Sequence, residues 1–163
     1  MWGNWYSVRK ARHFVLSQLY RTRHLTHNLY HLDRQIADKR LLVGLHIRMG
    51  DFLPVANPAE YQGLWNTRVP LAWYVNICRQ LKTALGNNVT FLLLTDGSEA
   101  ELKDFVNEFN PITNFGQPYA VVSDLLALAT ADVLVCSISS YSMWGVLLSG
   151  APYFWYLPNL REL

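Results

Sequence analysis

Short apolar runs that alternate with longer segments of helical periodicity are the feature that most restricts the fold of this chain. LLVGLHI at Leu41–Ile47 and VTFLLLT at Val89–Thr95 are almost wholly apolar. Runs of this length without polar alternation are typical of strands buried on both faces of a parallel sheet. Three further runs predict strands at Tyr119–Val122, Val133–Ser137 and Pro152–Tyr156.

Helical patterns fill the segments between these runs. Apolar residues recur at helical spacing from Val8 to about Ile36, which predicts one or two helices. Pro70 opens LAWYVNICRQLKTAL and Gly86 follows it, as expected where a helix starts and stops. Other helices are predicted after a cap at Ser98, after a cap at Ser123 or Asp124, and from Tyr141 to Leu148 with Gly150 at its end. The proline-containing segment 54–70 predicts a long loop.

This alternation predicts an α/β fold, a Rossmann-like parallel sheet with helices on both faces. The 163 residues suffice for one well-formed core and not for two. We divide the chain into a basic helical segment at residues 1–40 and an α/β domain at residues 41–163. In parallel α/β sheets, ligands bind beyond the carboxyl ends of the strands.

The net charge of +2 says little about a ligand, but the charge is uneven along the chain. Val8–Arg40 holds eight Lys or Arg and four of the five His, against only Asp33 and Asp38. A solvated helix face is the ordinary interpretation of such a segment. The alternative is a helix that binds polyanions, and such binding would be salt-sensitive and would survive the loss of Arg48.

Several classes of protein are disfavoured by what the sequence lacks. Cys78 and Cys136 have no zinc-site spacing and are expected to be small buried residues. No signal peptide is evident after Met1, and no run reaches the ~18 apolar residues of a membrane span. There is no P-loop, no GxGxxG after a strand and no GxSxG. The set His24, His27 and His31 shares a helix face without a carboxylate or cysteine to complete it, so no metal is expected.

Three strand ends carry polar chemistry and are predicted to meet at one edge of the sheet. They are HIRMGD at His46–Asp51, TDGS at Thr95–Ser98 and CSISSYS at Cys136–Ser142. An arginine at a strand end followed by a glycine offers a fork of donors to a phosphate. The alternative is that Arg48 pairs with a nearby aspartate and only ties loops together.

The second and third strand ends each allow two interpretations. Ser139, Ser140 and Ser142, at a helix start, could form an anion site, or one of them could simply cap the helix. Asp96 could accept hydrogen bonds from a guanine or a ribose, or it could cap the helix that follows.

Together these residues resemble a known family. HIRMGD resembles the HxRxGD motif of the α-1,2-, α-1,6- and protein O-fucosyltransferases, which use GDP-fucose. FLLLTDGSEAEL is similar to the second motif of that family, and DLLALATADVLVCSISSYSMWGVLL is similar to the third. The resemblance covers roughly Leu41 to Tyr156, with the motifs in the family's order.

The resemblance implies the nucleotide-sugar-binding C-terminal half of a two-domain GT-B glycosyltransferase. It implies that Arg48 contacts the β-phosphate and is catalytic, while Asp51 is a candidate base or only holds Arg48. The other implied donor-site contacts are His46 against the nucleotide, Asp96 on guanine, and Ser139, Ser140, Ser142 and the Met143 backbone around phosphate.

The implied activity is transfer of fucose from GDP-fucose to a glycan or protein hydroxyl, with inversion and without a metal or other cofactor. The alternative is a non-catalytic GDP-sugar-binding module that lacks its partner domain. Met49 stands where many family members have a second arginine. Neither nucleic acid nor a membrane span is expected as a partner. The acceptor and the compartment stay open: the Golgi or ER lumen for a eukaryotic enzyme, the cytoplasm for a bacterial one.

Overall fold

The computed structural model of the chain describes residues 9–22, 41–57, 66–117 and 120–159. The strands are β1 (Leu41–Ile47), β2 (Val89–Thr95), β3 (Ile112–Thr113), β4 (Val133–Cys136) and β5 (Tyr153–Trp155). The helices are α1 (Arg12–Tyr20), α2 (Leu71–Leu85), α3 (Lys103–Phe109), α4 (Ala120–Leu128) and α5 (Ser140–Ser149), with short 3-10 turns at Gly86–Asn88 and Leu157–Asn159. All five strands are parallel, in the order β3-β2-β1-β4-β5.

The central strand β1 separates two apolar cores. Successive side chains of a strand point to opposite faces, so Val43, Leu45 and Ile47 join one core and Leu42 joins the other. The first core is completed by residues of α2 and α3, and the second by residues of α4 and by partly buried side chains of α5. Helices therefore cover both faces of the sheet, which confirms the predicted fold class.

Gly44, the one glycine inside β1, marks a close approach on the second face. A Cβ atom there would lie 2.8 Å from Leu134 Cδ2 and 2.9 Å from Ala131 Cβ. The absence of a side chain lets β4 and the end of α4 pack directly on β1.

The predicted helix boundaries hold where the sequence has proline or glycine. Pro70 immediately precedes α2, and Gly86 follows it with a φ of 58°. Ser139 caps the start of α5, and Gly150 ends that helix with a φ of 65°. The cysteines Cys78 and Cys136 are both buried, as predicted.

The strand predicted at Tyr119–Val122 is wrong. Ala120–Val122 form the start of α4, and the third strand in chain order is the two-residue Ile112–Thr113 at the edge beside β2. Val121 is 70% exposed, which suits a helix surface and not a buried strand. Paired valines favour strands only when both neighbours can pack on them. Ser123 and Asp124, predicted as caps, lie inside α4, and Tyr119 lies outside the described residues.

The cap predicted at Ser98 forms, but it closes a turn that precedes the helix. The Glu101 N–H donates to Ser98 Oγ at 3.3 Å, and Glu101 Oε2 accepts from the Ser98 N–H at 2.9 Å. This reciprocal pair is a capping box. The α-helix itself begins at Lys103.

Helix α1 packs on the sheet domain through α4 and α5. Arg12 Nε donates to the Leu148 carbonyl at 2.6 Å, and Arg12 Nη2 donates to the Ser149 carbonyl. A cation on the last carbonyls of a helix satisfies otherwise unpaired acceptors and opposes the negative end of the helix dipole. The rest of the predicted Val8–Ile36 helical pattern, with His24, His27 and His31, lies outside the described residues, as do residues 58–65 of the predicted loop.

We predict that Arg12→Met lowers the free energy of unfolding by about 1–3 kcal/mol, because it removes charge-assisted hydrogen bonds to the end of α5. Urea unfolding monitored by tryptophan fluorescence measures the effect. Arg9→Met is the control, since Arg9 is exposed and its loss should change stability by less than about 0.5 kcal/mol. Equal effects of the two substitutions would contradict the assigned role of Arg12.

Candidate functional site

The carboxyl ends of β1, β2 and β4 lie level with one another. In the ladders, Ile47 pairs with Thr95 of β2 and His46 pairs with Cys136 of β4. The three polar strand ends therefore meet at one edge, as predicted. The chain runs outward from β1 in one direction to β2 and β3, and in the other to β4 and β5. The point where the direction reverses, between β1 and β4, is where open α/β sheets bind ligands.

Arg48 is the first residue after β1, and it is held by two carboxylates. Its Nη2 lies 2.7 Å from Asp51 Oδ1, and its Nη1 lies 2.7 Å from Asp96 Oδ2. The guanidinium carbon also lies 5.5 Å from the centre of the Phe52 ring. The predicted pairing of Arg48 with a nearby aspartate is therefore present, with two aspartates in place of one. Two N–H groups serve these pairs, and the remaining donors of the guanidinium keep the capacity to bind a phosphate oxygen.

Asp96 joins the loops after β1 and β2. Its Oδ1 accepts from the Met49 N–H at 2.7 Å while its Oδ2 meets Arg48. A Cβ atom on Gly50 would lie only 2.3 Å from that Oδ2, so this close approach requires glycine. The predicted alternative, that Asp96 caps the next helix, is not what the structure shows, because Ser98 makes the capping contacts.

The serine cluster after β4 is mostly engaged within the protein. Ser139 Oγ accepts from the Ser142 N–H at 3.1 Å, which is ordinary N-capping. The Met143 N–H donates to the Ser139 carbonyl at 3.1 Å. Ser140 is exposed, and within the described residues the N–H groups of Ser140 and Tyr141 have no acceptor. Unpaired N–H groups at a helix start, with the positive end of the helix dipole, can hold an anion.

His46 lies under this edge, only 4% exposed. Its Nδ1 is 2.6 Å from Ser142 Oγ, and Ser139 Oγ donates to the same Ser142 oxygen at 3.1 Å. Either His46 Nδ1 or Ser142 Oγ can be the donor in their contact, according to the tautomer of the imidazole. The ring also lies 4.8 Å from the Tyr141 ring. Burial lowers the pKa of His46 from 6.5 to about 4, with Asp96 opposing the change and Arg48 adding to it, so His46 is neutral at pH 7.

Ser137 and Tyr74 support the site but were not among the predicted site residues. Ser137 Oγ accepts from the Arg48 N–H at 2.8 Å and lies 2.7 Å from the Tyr74 hydroxyl, and both residues are buried. Ser137 ended a predicted strand, which could have suggested it. Tyr74 has the helical position of a core residue, so the sequence gives no signal for its hydroxyl contact.

A second buried polar group lies at the end of β3. Asn114 Nδ2 donates to Asp124 Oδ1 at 2.7 Å, and Asn114 Oδ1 has no partner among the described residues. Burial raises the pKa of Asp124 from 3.8 to about 6, although the Asn114 hydrogen bond opposes the change. Asp124 also lies close enough to Tyr141 to help burial raise the pKa of that hydroxyl. The signal in the sequence was the Ser-Asp pair inside an apolar helical run.

A cavity of about 510 Å³ lies at the opposite edge of the sheet, around the amino end of β2. Its lining includes Lys82, Asn87, Phe91 and Asn110. The polar strand ends do not border it. Ligands of parallel sheets bind at the carboxyl edge, so we place the candidate site at Arg48 and not in this cavity.

The described residues contain neither a metal-binding cluster nor a membrane-spanning helix. No group of three or more His, Cys, Asp or Glu side chains is arranged to hold a metal ion. No helix among these residues is both long and apolar enough to cross a membrane.

Comparison with known proteins finds similarity at the level of the fold. No protein-family model and no curated protein matches the chain. A NodZ α-1,6-fucosyltransferase structure soaked with GDP-fucose has a TM-score of 0.51 and 16% identity, over 78% of this chain and 42% of that one. POFUT1 in complex with GDP-fucose has a TM-score of 0.52 and 10% identity, over 79% of this chain and 46% of that one. The apo form of POFUT1 has a TM-score of 0.50 and 11% identity, over 79% of this chain and 46% of that one.

These similarities confirm the predicted fold, a Rossmann-like sheet like that in GT-B fucosyltransferases. The chain spans less than half the length of each of these structures. At 10–16% identity they establish the fold and leave the activity to be argued from the site.

Two buried titrations are predicted to oppose each other in acid. Between pH 6.5 and about 4, His46 binds a proton in the unfolded chain but stays neutral in the folded protein. Acidification through this range therefore lowers the free energy of unfolding by roughly 3 kcal/mol. Between about pH 6 and 3.8 folded Asp124 holds a proton that the unfolded chain releases, so acidification restores stability by a similar amount.

Single substitutions separate the two effects. Relative to wild type, Asp124→Asn should lose stability more steeply as the pH falls from 6.5 to 4, because only the His46 effect remains. Over the same pH range His46→Gln should lose less stability than wild type or become more stable, because only the Asp124 effect remains. Urea unfolding at several pH values measures both, and the other carboxylates contribute equally to all three proteins. If both variants followed the wild-type pH dependence, the assigned pKa values of His46 and Asp124 would be wrong.

Proposed function

We propose that this chain is the nucleotide-sugar-binding half of a fucosyltransferase that transfers fucose from GDP-fucose to a glycan or protein hydroxyl. Inversion at the sugar and independence of metal are parts of the proposal. It is supported by the fold shared with structures of GDP-fucose-bound fucosyltransferases and by the motif resemblance.

The observation that carries the proposal is the position of Arg48. It follows the central strand, next to the point where the strand order reverses, and its backbone is tied to Ser137 at the end of β4. The amino end of α5 begins three residues beyond Ser137, with the open N–H groups of Ser140 and Tyr141. A guanidinium and a helix start at the same strand edge are complementary to a diphosphate.

The chemistry required of such a site is stabilisation of a leaving diphosphate. As the glycosidic bond to fucose breaks, negative charge grows on the β-phosphate, and preorganised donors there lower the barrier. In this proposal Arg48 and the N–H groups at the start of α5 supply those donors. Ser139, Ser142 and Met143 fix the helix start, and neutral His46 lies below the nucleotide without adding a charge.

Asp51 has two possible parts in the reaction, a base or a holder of Arg48. Its contact with Arg48 supports the second. However, Arg48 between two carboxylates leaves a local charge of minus one, which disfavours a diphosphate. The Asp51 side chain is 66% exposed and can turn away at little cost, whereas Asp96 is 29% exposed and is also bonded to Met49. We therefore expect the diphosphate to replace Asp51 on Arg48 and leave Asp51 free to accept a proton.

A second candidate function is a GDP-sugar-binding module without turnover. It is favoured by the share of the fucosyltransferase structures that the chain matches, 42% of the NodZ structure and 46% of the POFUT1 structure. The enzyme and the module would both bind GDP, and only the enzyme would release fucose.

We predict that Arg48→Ala weakens GDP binding by roughly 30-fold, about 2 kcal/mol, through the loss of charge-assisted contacts. Calorimetric titration of GDP, GDP-fucose and UDP measures this. Arg79→Ala is the control, because Arg79 pairs with Glu108 on the surface of α2 and α3. A folded wild-type chain that binds none of these nucleotides would contradict the proposal.

The same titrations test the base-reading role of Asp96. With Asp96→Asn we expect the preference for GDP over UDP to fall. Asp124→Asn is the matched comparison, since the Asp124 carboxylate is held by Asn114 and does not contact Arg48. Loss of the preference only in Asp124→Asn would transfer the role to that residue.

For Asp51→Asn we predict a several-fold gain in GDP affinity, because a competing negative charge is removed. Turnover of GDP-fucose with candidate acceptors then separates the two functions. Tighter binding with lower turnover supports an enzyme with Asp51 as base, and tighter binding with no turnover in either protein supports the module. Weaker GDP binding would show that Asp51 serves only to hold Arg48 in place.

A further inference from the structure

Arg68 clamps the turn that carries Arg48 and Asp51. From its place just before α2, its Nε–H is shared between the Met49 carbonyl at 2.9 Å and the Phe52 carbonyl at 2.8 Å. These carbonyls belong to the two ends of the turn, which is closed by a hydrogen bond from the Phe52 N–H to the Met49 carbonyl at 3.1 Å. One guanidinium therefore fixes both ends of the turn at once.

The backbone around Arg68 reinforces this clamp. The Arg68 N–H donates to the Leu53 carbonyl at 2.8 Å, and the Leu53 N–H donates to the Asn66 carbonyl at 2.8 Å. Leu53 and Thr67 form an isolated parallel bridge. The segment before α2 is thus attached to the chain immediately after the turn, which limits the movement available to the Arg68 side chain.

Arg68 also links the loop after β1 to the loop after β2. Its Nη1 lies 3.3 Å from Glu101 Oε1. The other oxygen of Glu101 accepts from the Ser98 N–H at 2.9 Å and from Ser98 Oγ at 2.8 Å. Ser98 lies two residues beyond Asp96, the second carboxylate on Arg48. Arg68 therefore connects the turn that carries Asp51 with the loop that carries Asp96, the two carboxylates paired with Arg48.

We propose that Arg68 is a positioning residue that holds the Met49–Phe52 turn so that the Arg48 guanidinium is presented to the diphosphate. This inference rests on the proposed function of Arg48. Arg68 adds a second positive charge to a group that otherwise has three carboxylates, those of Asp51, Asp96 and Glu101, against one guanidinium.

The geometry requires arginine at this position. A planar guanidinium can direct Nε–H at two carbonyls while Nη1 meets a carboxylate on its far side. A lysine ammonium keeps the charge but is a single point at the end of a flexible stem. It can approach either the turn or Glu101 and cannot hold both, so Arg68→Lys separates the clamp from the charge.

The test compares Arg68→Lys with the control Arg79→Lys, which changes an arginine in a two-point ion pair on α2, away from the site. GDP and GMP are titrated into each protein by calorimetry. We expect Arg68→Lys to weaken GDP binding about tenfold and GMP binding much less, because GMP lacks the β-phosphate. The control should bind both as wild type does. Equal losses for the two nucleotides would indicate general destabilisation and would overturn the proposal.

A second readout needs no nucleotide. In protein labelled with ¹⁵N-arginine, the side-chain N–H signal of Arg48, assigned by its loss in Arg48→Ala, reports whether its ion pairs are ordered. We expect this signal to shift or broaden in Arg68→Lys and to stay unchanged in Arg79→Lys. An unchanged signal in Arg68→Lys would overturn the inference. If wild type bound no GDP, the proposed function would fail while this measurement still decided the positioning role.

Glu101→Gln tests the link from the other side and keeps Arg68 intact. Glu101 is exposed, so the substitution should leave the fold stable. We expect a GDP affinity about threefold lower and a smaller change in the Arg48 signal. If Arg68→Lys failed to fold, wild-type behaviour of Glu101→Gln in both measurements would overturn the proposal.

Discussion

Parallel pairing of β1 with β2 on one side and β4 on the other is the constraint on which the rest of the structure depends. Because the three strands end level, the residues after each strand come within side-chain reach of one another. Arg48 then finds Asp96 across one neighbour and Ser137 across the other. A shift of one residue in either ladder would turn every side chain of β1 to the other face and bring His46 into the wrong core.

The charged side chains of the candidate site are restrained by hydrogen bonds and ion pairs within the protein. Arg48 is fixed by two carboxylates, Asp96 by a backbone N–H as well, and Arg68 by carbonyls and Glu101. Side chains held in this way lose little conformational freedom on meeting a ligand. The partner most open to replacement is Asp51, since it contacts Arg48 from the solvent side with a mostly exposed side chain.

The sequence was sufficient for most of the fold, because long apolar runs and helix boundaries marked by proline or glycine are local signals. It predicted β1, β2, the start of α2 and the glycine that ends α5 at the residues where they occur. It failed at Tyr119–Val122, where two valines in a short run could have been either strand or helix. There, packing between α4 and the sheet decided the outcome, and that information is not local.

The site was predictable in its location but not in its contacts. The strand-end argument brought His46, Arg48, Asp96 and the serines to one edge, as the structure shows. It could not show that Ser142 bonds to His46 across 96 positions of sequence, or that Arg68 would reach the turn after β1. Such contacts depend on rotamers and on the path of intervening loops, and no residue spacing encodes them.

Helix α5 runs from the candidate site at its amino end to the contact with α1 at its carboxyl end. It is ten residues long, or about 15 Å, with Arg12 at its carboxyl end and the candidate site at its amino end. The cation of Arg12 opposes the negative pole of the helix dipole, while at the positive pole Ser139 caps the Ser142 N–H and leaves the N–H groups of Ser140 and Tyr141 without an acceptor among the described residues. Helix α1, at the end of α5 away from the candidate site, thus makes the electrostatic potential at the amino end of α5 more favourable to an anion than α5 alone would.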